Sequence, residues 1–189
     1  MEAFLTSTSM VALAEIGDKT QLLALLLVSR FQRPWPIIAG ILLATLLNHA
    51  IAGYLGEVIA NLLSPGFLRW AVGLSFLAIA IWTMIPDKME DGELPALKKW
   101  GIFITTLLSF FLVEIGDKTQ IATVVLAAHY HNLAAVVGGT TLGMMLANAP
   151  VVFLGDKLAH QLPLDLIRKI VAILFALLGI AALLGFGLK

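Results

Sequence analysis

The sequence predicts an all-α integral membrane protein, with six transmembrane helices arranged as two inverted three-helix repeats. Three observations carry that expectation. The 189 residues are 60% hydrophobic and only 13% charged, with a mean hydropathy of +0.97, whereas a soluble domain is about 45–50% apolar and about 25% charged. Six apolar runs are of the length that crosses a bilayer, roughly 18 residues or more. One seven-residue stretch occurs twice, 99 positions apart: Glu15-Ile16-Gly17-Asp18-Lys19-Thr20-Gln21 and Glu114-Ile115-Gly116-Asp117-Lys118-Thr119-Gln120.

The first run, about Ala3–Ser29, follows Met1-Glu2 without the basic segment that opens a signal peptide, so it reads as a retained span. Pro36–Leu63 and Leu68–Ile85 follow as the second and third spans. Residues 86–100 are the one extended polar stretch and read as a linker. Beyond it come Gly101–Ala128, Leu133–Leu154 and Ile170–Leu188. The first, second and fourth runs exceed the roughly 20 residues a span needs, so they must tilt, break or protrude. Gly17 and Gly116 lie inside the duplicated stretch. They read either as local unwinding, as in the discontinuous helices of transporters, or as packing sites, the commoner role of a lone glycine in a membrane helix. Gly139 and Gly143 are spaced for close helix packing.

The 99-residue offset continues beyond the motif. Gly40 matches Gly139, Leu55 matches Leu154, Gly56 matches Gly155, Ala60 matches Ala159, Arg69 matches Arg168 and Phe76 matches Phe175, without a gap. Repeat 1 therefore covers 1–85 and repeat 2 covers 101–189 of a single membrane domain, 1–189. Three spans per repeat send the second half through the bilayer in the opposite direction, which predicts a substrate site near the midplane where the halves meet. Orientation follows from the basic residues. Connections after the first, third and fifth spans hold Arg30, Arg33, Lys88, Lys98, Lys99, Lys157, Arg168 and Lys169; the other side holds Arg69 and Lys189. The positive-inside rule places the first group in the cytoplasm and both termini outside it. Trp35, Trp70, Trp82 and Trp100 fall near span ends, as an interfacial belt would.

A charge at the centre of a bilayer costs at least about 2.5–3.5 kcal/mol, so charged residues kept there mark a functional site. On a continuous helix Glu15, Asp18 and Gln21 form an inclined arc at i, i+3, i+6, and Glu114, Asp117 and Gln120 repeat it. If the halves face each other, four carboxylates and two amides converge, an oxygen set suited to a hard divalent cation such as Mn²⁺, Ca²⁺ or Mg²⁺. Cysteine is absent, which removes disulfides, thiolate metal sites and thiol redox chemistry. The competing reading is helical ion pairing of Glu15 with Lys19 and of Glu114 with Lys118 at i+4, which would leave both aspartates unpaired. Lys19 and Lys118 either neutralise the carboxylates or snorkel toward an interface. Thr20 and Thr119 would point away from the arc and bond a carbonyl one turn back. Asn48 and His49, with Asn148 at the position matching His49, sit mid-span and either line a pathway or bond between helices. His129 and His131 read as a solvated helix end. Glu57 and Asp156 occupy matching helix ends.

Glu-x-Gly-Asp-Lys-Thr, present twice on membrane helices in a chain of this length, resembles the GDT1 family, also called UPF0016. The resemblance covers the whole chain without a departure at the motif positions. It implies a secondary transporter that carries Mn²⁺, or Ca²⁺, out of the cytoplasm, in a bacterial inner membrane. Under that reading the metal is substrate and no prosthetic group is needed. The charge balance adds protons as a second partner: four ionised carboxylates against two lysines leave a double negative charge, which one divalent cation or two protons would cancel. A cation channel would use the same acidic ring without coupling. A membrane metalloenzyme would need Glu-x-x-His or His-Glu-x-x-His elements, which the sequence lacks. An exporter of organic cations is the remaining alternative. Zero net charge suggests no nucleic-acid partner.

Overall fold

A computed structural model describes residues 1–85, 101–154 and 163–185. The expected linker, Trp100, Lys157 and the repeat positions Gly155, Asp156 and Ala159 lie outside the described residues. The described residues form eight α-helices: α1 (Glu2–Ala14), α2 (Lys19–Phe31), α3 (Pro34–Leu62), α4 (Pro65–Thr83), α5 (Gly101–Glu114), α6 (Lys118–Tyr130), α7 (Leu133–Leu154) and α8 (Leu164–Leu183).

Four of these, α3, α4, α7 and α8, are long and apolar enough to cross a membrane. The first and fourth expected spans are not continuous. Each breaks at the duplicated motif, where Gly17 (φ +80°) and Gly116 (φ +76°) take the left-handed conformation that ends a helix. A 13-residue helix such as α1, α2 or α6 is only ~20 Å long, short of a hydrocarbon core of about 30 Å. Both motif glycines therefore serve the break, and Gly17 also packs closely against Leu164. The last expected span also shifts: α8 starts at Leu164, ahead of the expected Ile170. Asp165 in its first turn bonds Arg168 at 2.9 Å, so the charged residues begin the helix. Prolines set other starts, Pro34 and Pro36 for α3 and Pro65 for α4, in keeping with their preformed φ.

The two halves interlock. α1 packs on α7 and α5 on α3; α2 touches α7 and α6 touches α3. The crossings repeat at the sequence offset. A Cβ on Gly139 would lie 2.6 Å from the Phe4 carbonyl oxygen and 3.0 Å from Ser7 Cβ. On Gly40 it would lie 2.9 Å from the Phe103 carbonyl oxygen and 2.7 Å from Thr106 Cβ. Phe103 and Thr106 hold the positions matching Phe4 and Ser7, so glycine lets each backbone approach at equivalent places. The matched residues Gln32 and His131 both cap their helices in the left-handed conformation. His129 is buried and stacks edge-on against Phe76 and Tyr130, contrary to the expected solvated end, because α6 carries it into the packing under α4. Trp35 and Trp70 are exposed.

Candidate metal centre

Each motif is a one-turn break held by its own glutamine. The break frees the Gly17 N–H, which donates to Gln21 Oε1 at 2.8 Å; the Gly116 N–H donates to Gln120 Oε1 at 2.7 Å. The amide nitrogens then tie each break to the opposite half. Gln21 Nε2 donates to the Ala147 carbonyl on α7 (2.9 Å), and Gln120 Nε2 to Asn48 Oδ1 on α3 (3.4 Å). Positions 48 and 147 match in the repeat, so one anchor is made by a side chain and its counterpart by the backbone. Gln21 and Gln120, expected to offer oxygen to a metal, each accept one backbone N–H on that oxygen, which uses one of its two lone pairs.

The continuous arc is likewise replaced. Asp18 and Asp117 become the N-cap residues of α2 and α6, their carboxylates accepting from the Lys19 and Thr119 backbone N–H groups. Glu15 caps the end of α1. The result is a buried group of three carboxylates, Glu15, Asp18 and Asp117, with one oxygen of each within 4.8 Å of the others. Two come from the first motif and one from the second. The cations cross between motifs: Lys19 Nζ lies 3.5 Å from Asp117 Oδ1, and Lys118 Nζ lies 3.5 Å from Asp18 Oδ2. The i, i+4 pairs of a continuous helix are not among the ion pairs of the described residues, since the break turns each lysine toward the other half. Both lysines thus face the site and do not snorkel.

Glu114 stands outside this group. Its Oε1 accepts from Thr45 Oγ1 at 3.2 Å and its Oε2 from Asn48 Nδ2 at 2.8 Å, both on α3. The residues matching Thr45 and Asn48 are Met144 and Ala147, which cannot donate, and Glu15 Oε1 is buried without a hydrogen-bond partner among the described residues. The two glutamates are therefore inequivalent although their motifs are identical. Thr20 donates to Glu15 Oε2, and Thr119 Oγ1 donates to Asp117 Oδ2 at 3.1 Å. Neither threonine points away as a continuous helix would require; the change of direction between the short helices brings both hydroxyls to the carboxylates. Asn48 works as a support for Glu114 and Gln120. His49 is fully buried and neither ring nitrogen has a partner among the described residues. Asn148 donates to the Met144 carbonyl at 3.1 Å, within α7, and its Oδ1 has no partner among the described residues. His49 is not part of the carboxylate group. Thr45 went unnoticed in the sequence, although a polar residue one turn before Asn48 on an apolar helix was a usable signal. The Ala147 carbonyl carries no side-chain signal at all.

Three carboxylates against two lysines leave one negative charge in excess among buried oxygen donors, and oxygen donors of this kind are what hard divalent cations take. The amino ends of α2 and α6, with partial positive charge, and the two ammonium groups balance the carboxylates.

The sequence model described as divalent cation/proton antiporter GDT1 matches residues 3–91 and 102–187. A Vibrio cholerae protein named "Putative manganese exporter" is 54% identical over 182 residues, covering 96% of this chain and 90% of that one. A rice GDT1-like protein 4 is 29% identical over 92% of this chain and 70% of its own length. A GDT1-like protein of Synechocystis is 25% identical over 96% of this chain and 97% of its own. No solved structure matches.

Proposed function

The chain belongs to the GDT1 family of divalent cation/proton antiporters, and from that premise we propose that it exports Mn²⁺ from the cytoplasm across a bacterial inner membrane, taking protons in return. Ca²⁺ is the second candidate cargo. The observation that carries the proposal is the buried trio Glu15, Asp18 and Asp117, assembled from both motifs and braced by the crossed lysines. Such a set has no purpose in a packing role that demands charges be desolvated at several kcal/mol each, and its oxygen donors suit Mn²⁺ and Ca²⁺. The 54% identical relative supports manganese through its name.

In this reading each broken pair, α1 with α2 and α5 with α6, crosses the membrane end to end. Together with α3, α4, α7 and α8 this makes six crossings, in two inverted repeats, 1–85 and 101–189. The matched glycine crossings and caps, and family matches whose starts keep the 99-residue offset, support it. One metal site is shared by the two repeats. Both termini lie outside the cytoplasm, as the distribution of basic residues favours.

The test is purified protein in sealed liposomes with a pH-sensitive dye inside. The expected result is Mn²⁺ flux that moves protons the opposite way and follows an imposed pH gradient. Saturable flux without any proton movement would refute the exchange, and unsaturable flux would favour a channel.

A further inference from the structure

The repeat symmetry is kept by six helices and broken by two. The contacts α1–α7 and α5–α3, α2–α7 and α6–α3, α1–α6 and α5–α2, and α2–α3 and α6–α7 come in matched pairs. The pair α4–α8 maps onto itself and is packed as extensively as any two of the described helices. Its backbones nearly touch: a Cβ on Gly73 would lie 3.0 Å from the Gly179 carbonyl oxygen, and one on Gly179 would lie 2.9 Å from that of Gly73. This pair rests against only one side of the remaining six. α4 packs on α6 and α8 on α1, whereas the matching contacts, α8 with α2 and α4 with α5, are at most marginal among the described residues.

The same asymmetry appears at the motifs. The first turn of α8 covers the first motif, where a Cβ on Gly17 would lie 2.6 Å from Leu164 Cδ2. At the second motif a Cβ on Gly116 would meet nothing within 4 Å. Ile115 is 56% exposed while its counterpart Ile16 is half-buried. The residue matching Leu164 is Pro65, at the start of α4, and it lies away from Gly116. A small cavity beside Asp18 and Lys118 is lined by Gly17, Thr83, Ile167 and Arg168, at the ends of α4 and α8 where basic residues favour the cytoplasm.

We propose that the α4–α8 pair is the moving element of the transport cycle: seated on α1 and α6 here, it moves as a unit to α5 and α2, where Pro65 approaches Gly116 as Leu164 leaves Gly17. The inference rests on the transport reading of the same site. Its physical basis is that two seats built from homologous residues, such as Thr6 and Thr105, hold the same pair at similar energy. A bistable arrangement follows without any strain in the six-helix core. The carboxylates stay with the core helices, and the pair uncovers one motif while it covers the other.

Cross-linking tests this directly, because the protein contains no cysteine. Ser9→Cys with Leu174→Cys joins α1 to α8 in the present seat; Leu108→Cys with Ser75→Cys, the same positions shifted by the repeat, joins α5 to α4 in the other. Leu5→Cys with Leu178→Cys and Ile104→Cys with Ile79→Cys are the second set, should one pair fail to fold. In proteoliposomes with a short, reductively cleavable bis-maleimide, both seats should cross-link. Each cross-link should lower Mn²⁺ flux at least tenfold, with recovery on reduction. A protein that exchanges Mn²⁺ while the α4–α5 pairs never cross-link overturns the proposal. So does undiminished flux through protein cross-linked between α1 and α8. Absence of Mn²⁺ flux in the cysteine-free parent rejects the transport reading instead, and cross-linking of both seats in the paired-cysteine variants would still support the movement.

Discussion

Replacing Asp117 separates a metal ligand from an ion-pair partner. Asp117 receives Thr119 on Oδ2 and pairs with Lys19 through Oδ1 at 3.5 Å, and its side chain is 2% exposed. Asp117→Asn keeps the shape but strands the Lys19 ammonium. Removing one partner of a buried pair costs about 3–5 kcal/mol. The Lys19 side chain keeps 18% exposure, so ~3 kcal/mol, the low end of that range, is the expected loss of stability. The double variant Asp117→Asn with Lys19→Gln removes both charges, and its unfolding midpoint should return close to that of the parent protein. Transport should not return. A transported cation that loses one of three carboxylates loses ~3 kcal/mol of stabilisation, and at 1.36 kcal/mol per tenfold that is roughly a hundredfold in rate or affinity. Mn²⁺ flux in liposomes and thermal unfolding in detergent are measured on the same preparations. Flux restored to within a few-fold of the parent in the double variant would mean that Asp117 serves only to hold Lys19, and the shared site would have to be abandoned. A single variant with half the flux and unchanged affinity would point instead to two independent sites.

Two further outcomes follow from the geometry. Gly17→Ala and Gly116→Ala both force a left-handed conformation that costs an L-residue roughly 1–2 kcal/mol, but only the first adds a clash with Leu164, so Gly17→Ala should lower the unfolding temperature more; an equal drop would contradict the seating of α8 on that motif. A reporter fused after Lys189 should be active only outside the cytoplasm, and activity confined to the cytoplasm would overturn the orientation drawn from the basic residues.

Composition and the 99-residue repeat made the helical membrane fold legible, and α7 has the bounds its apolar run suggests. The motif residues were legible as charges too costly to be incidental. What sequence could not give was their direction. A continuous helix and a one-turn break have the same apolar pattern, and the choice depends on whether some group takes the freed N–H. Gln21 and Gln120 do so, which makes them braces of the break and turns Thr20, Thr119 and both lysines toward the carboxylates. Nor could identical motifs reveal that Glu15 and Glu114 differ, because the difference lies in what opposes them. Thr45 and Asn48 face one; Met144 and Ala147 hold the matching positions on α7. That contrast was present in the sequence, but it acquires meaning only once α3 is known to lie against the second motif.

The inequivalence bears on the charge carried per cycle. Glu15, Asp18, Glu114 and Asp117 against Lys19 and Lys118 leave a double negative charge when all are ionised, matched by one divalent cation or by two protons. Glu114 is held by neutral donors on α3 and stands apart from the trio, so it can complete this balance without touching the metal. Glu114→Gln keeps an acceptor for Thr45 or Asn48 while removing one unit of charge. The Mn²⁺-loaded form would then carry one positive charge, while with one carboxylate fewer to protonate the return form takes one proton instead of two and is neutral, so one Mn²⁺ exchanges for one proton and the cycle moves one net charge. One charge crossing the full potential is worth about 2.3 kcal/mol per 100 mV, up to roughly 50-fold in rate at 1.36 kcal/mol per tenfold, and less if only part of the field is crossed. Liposomes with a potassium diffusion potential supply the measurement. Mn²⁺ flux of the parent protein should be indifferent to the sign of the potential, and that of Glu114→Gln should change several-fold when the sign is reversed. A variant that transports at any rate yet ignores the potential would remove Glu114 from the charge balance and leave the trio alone to set the proton count.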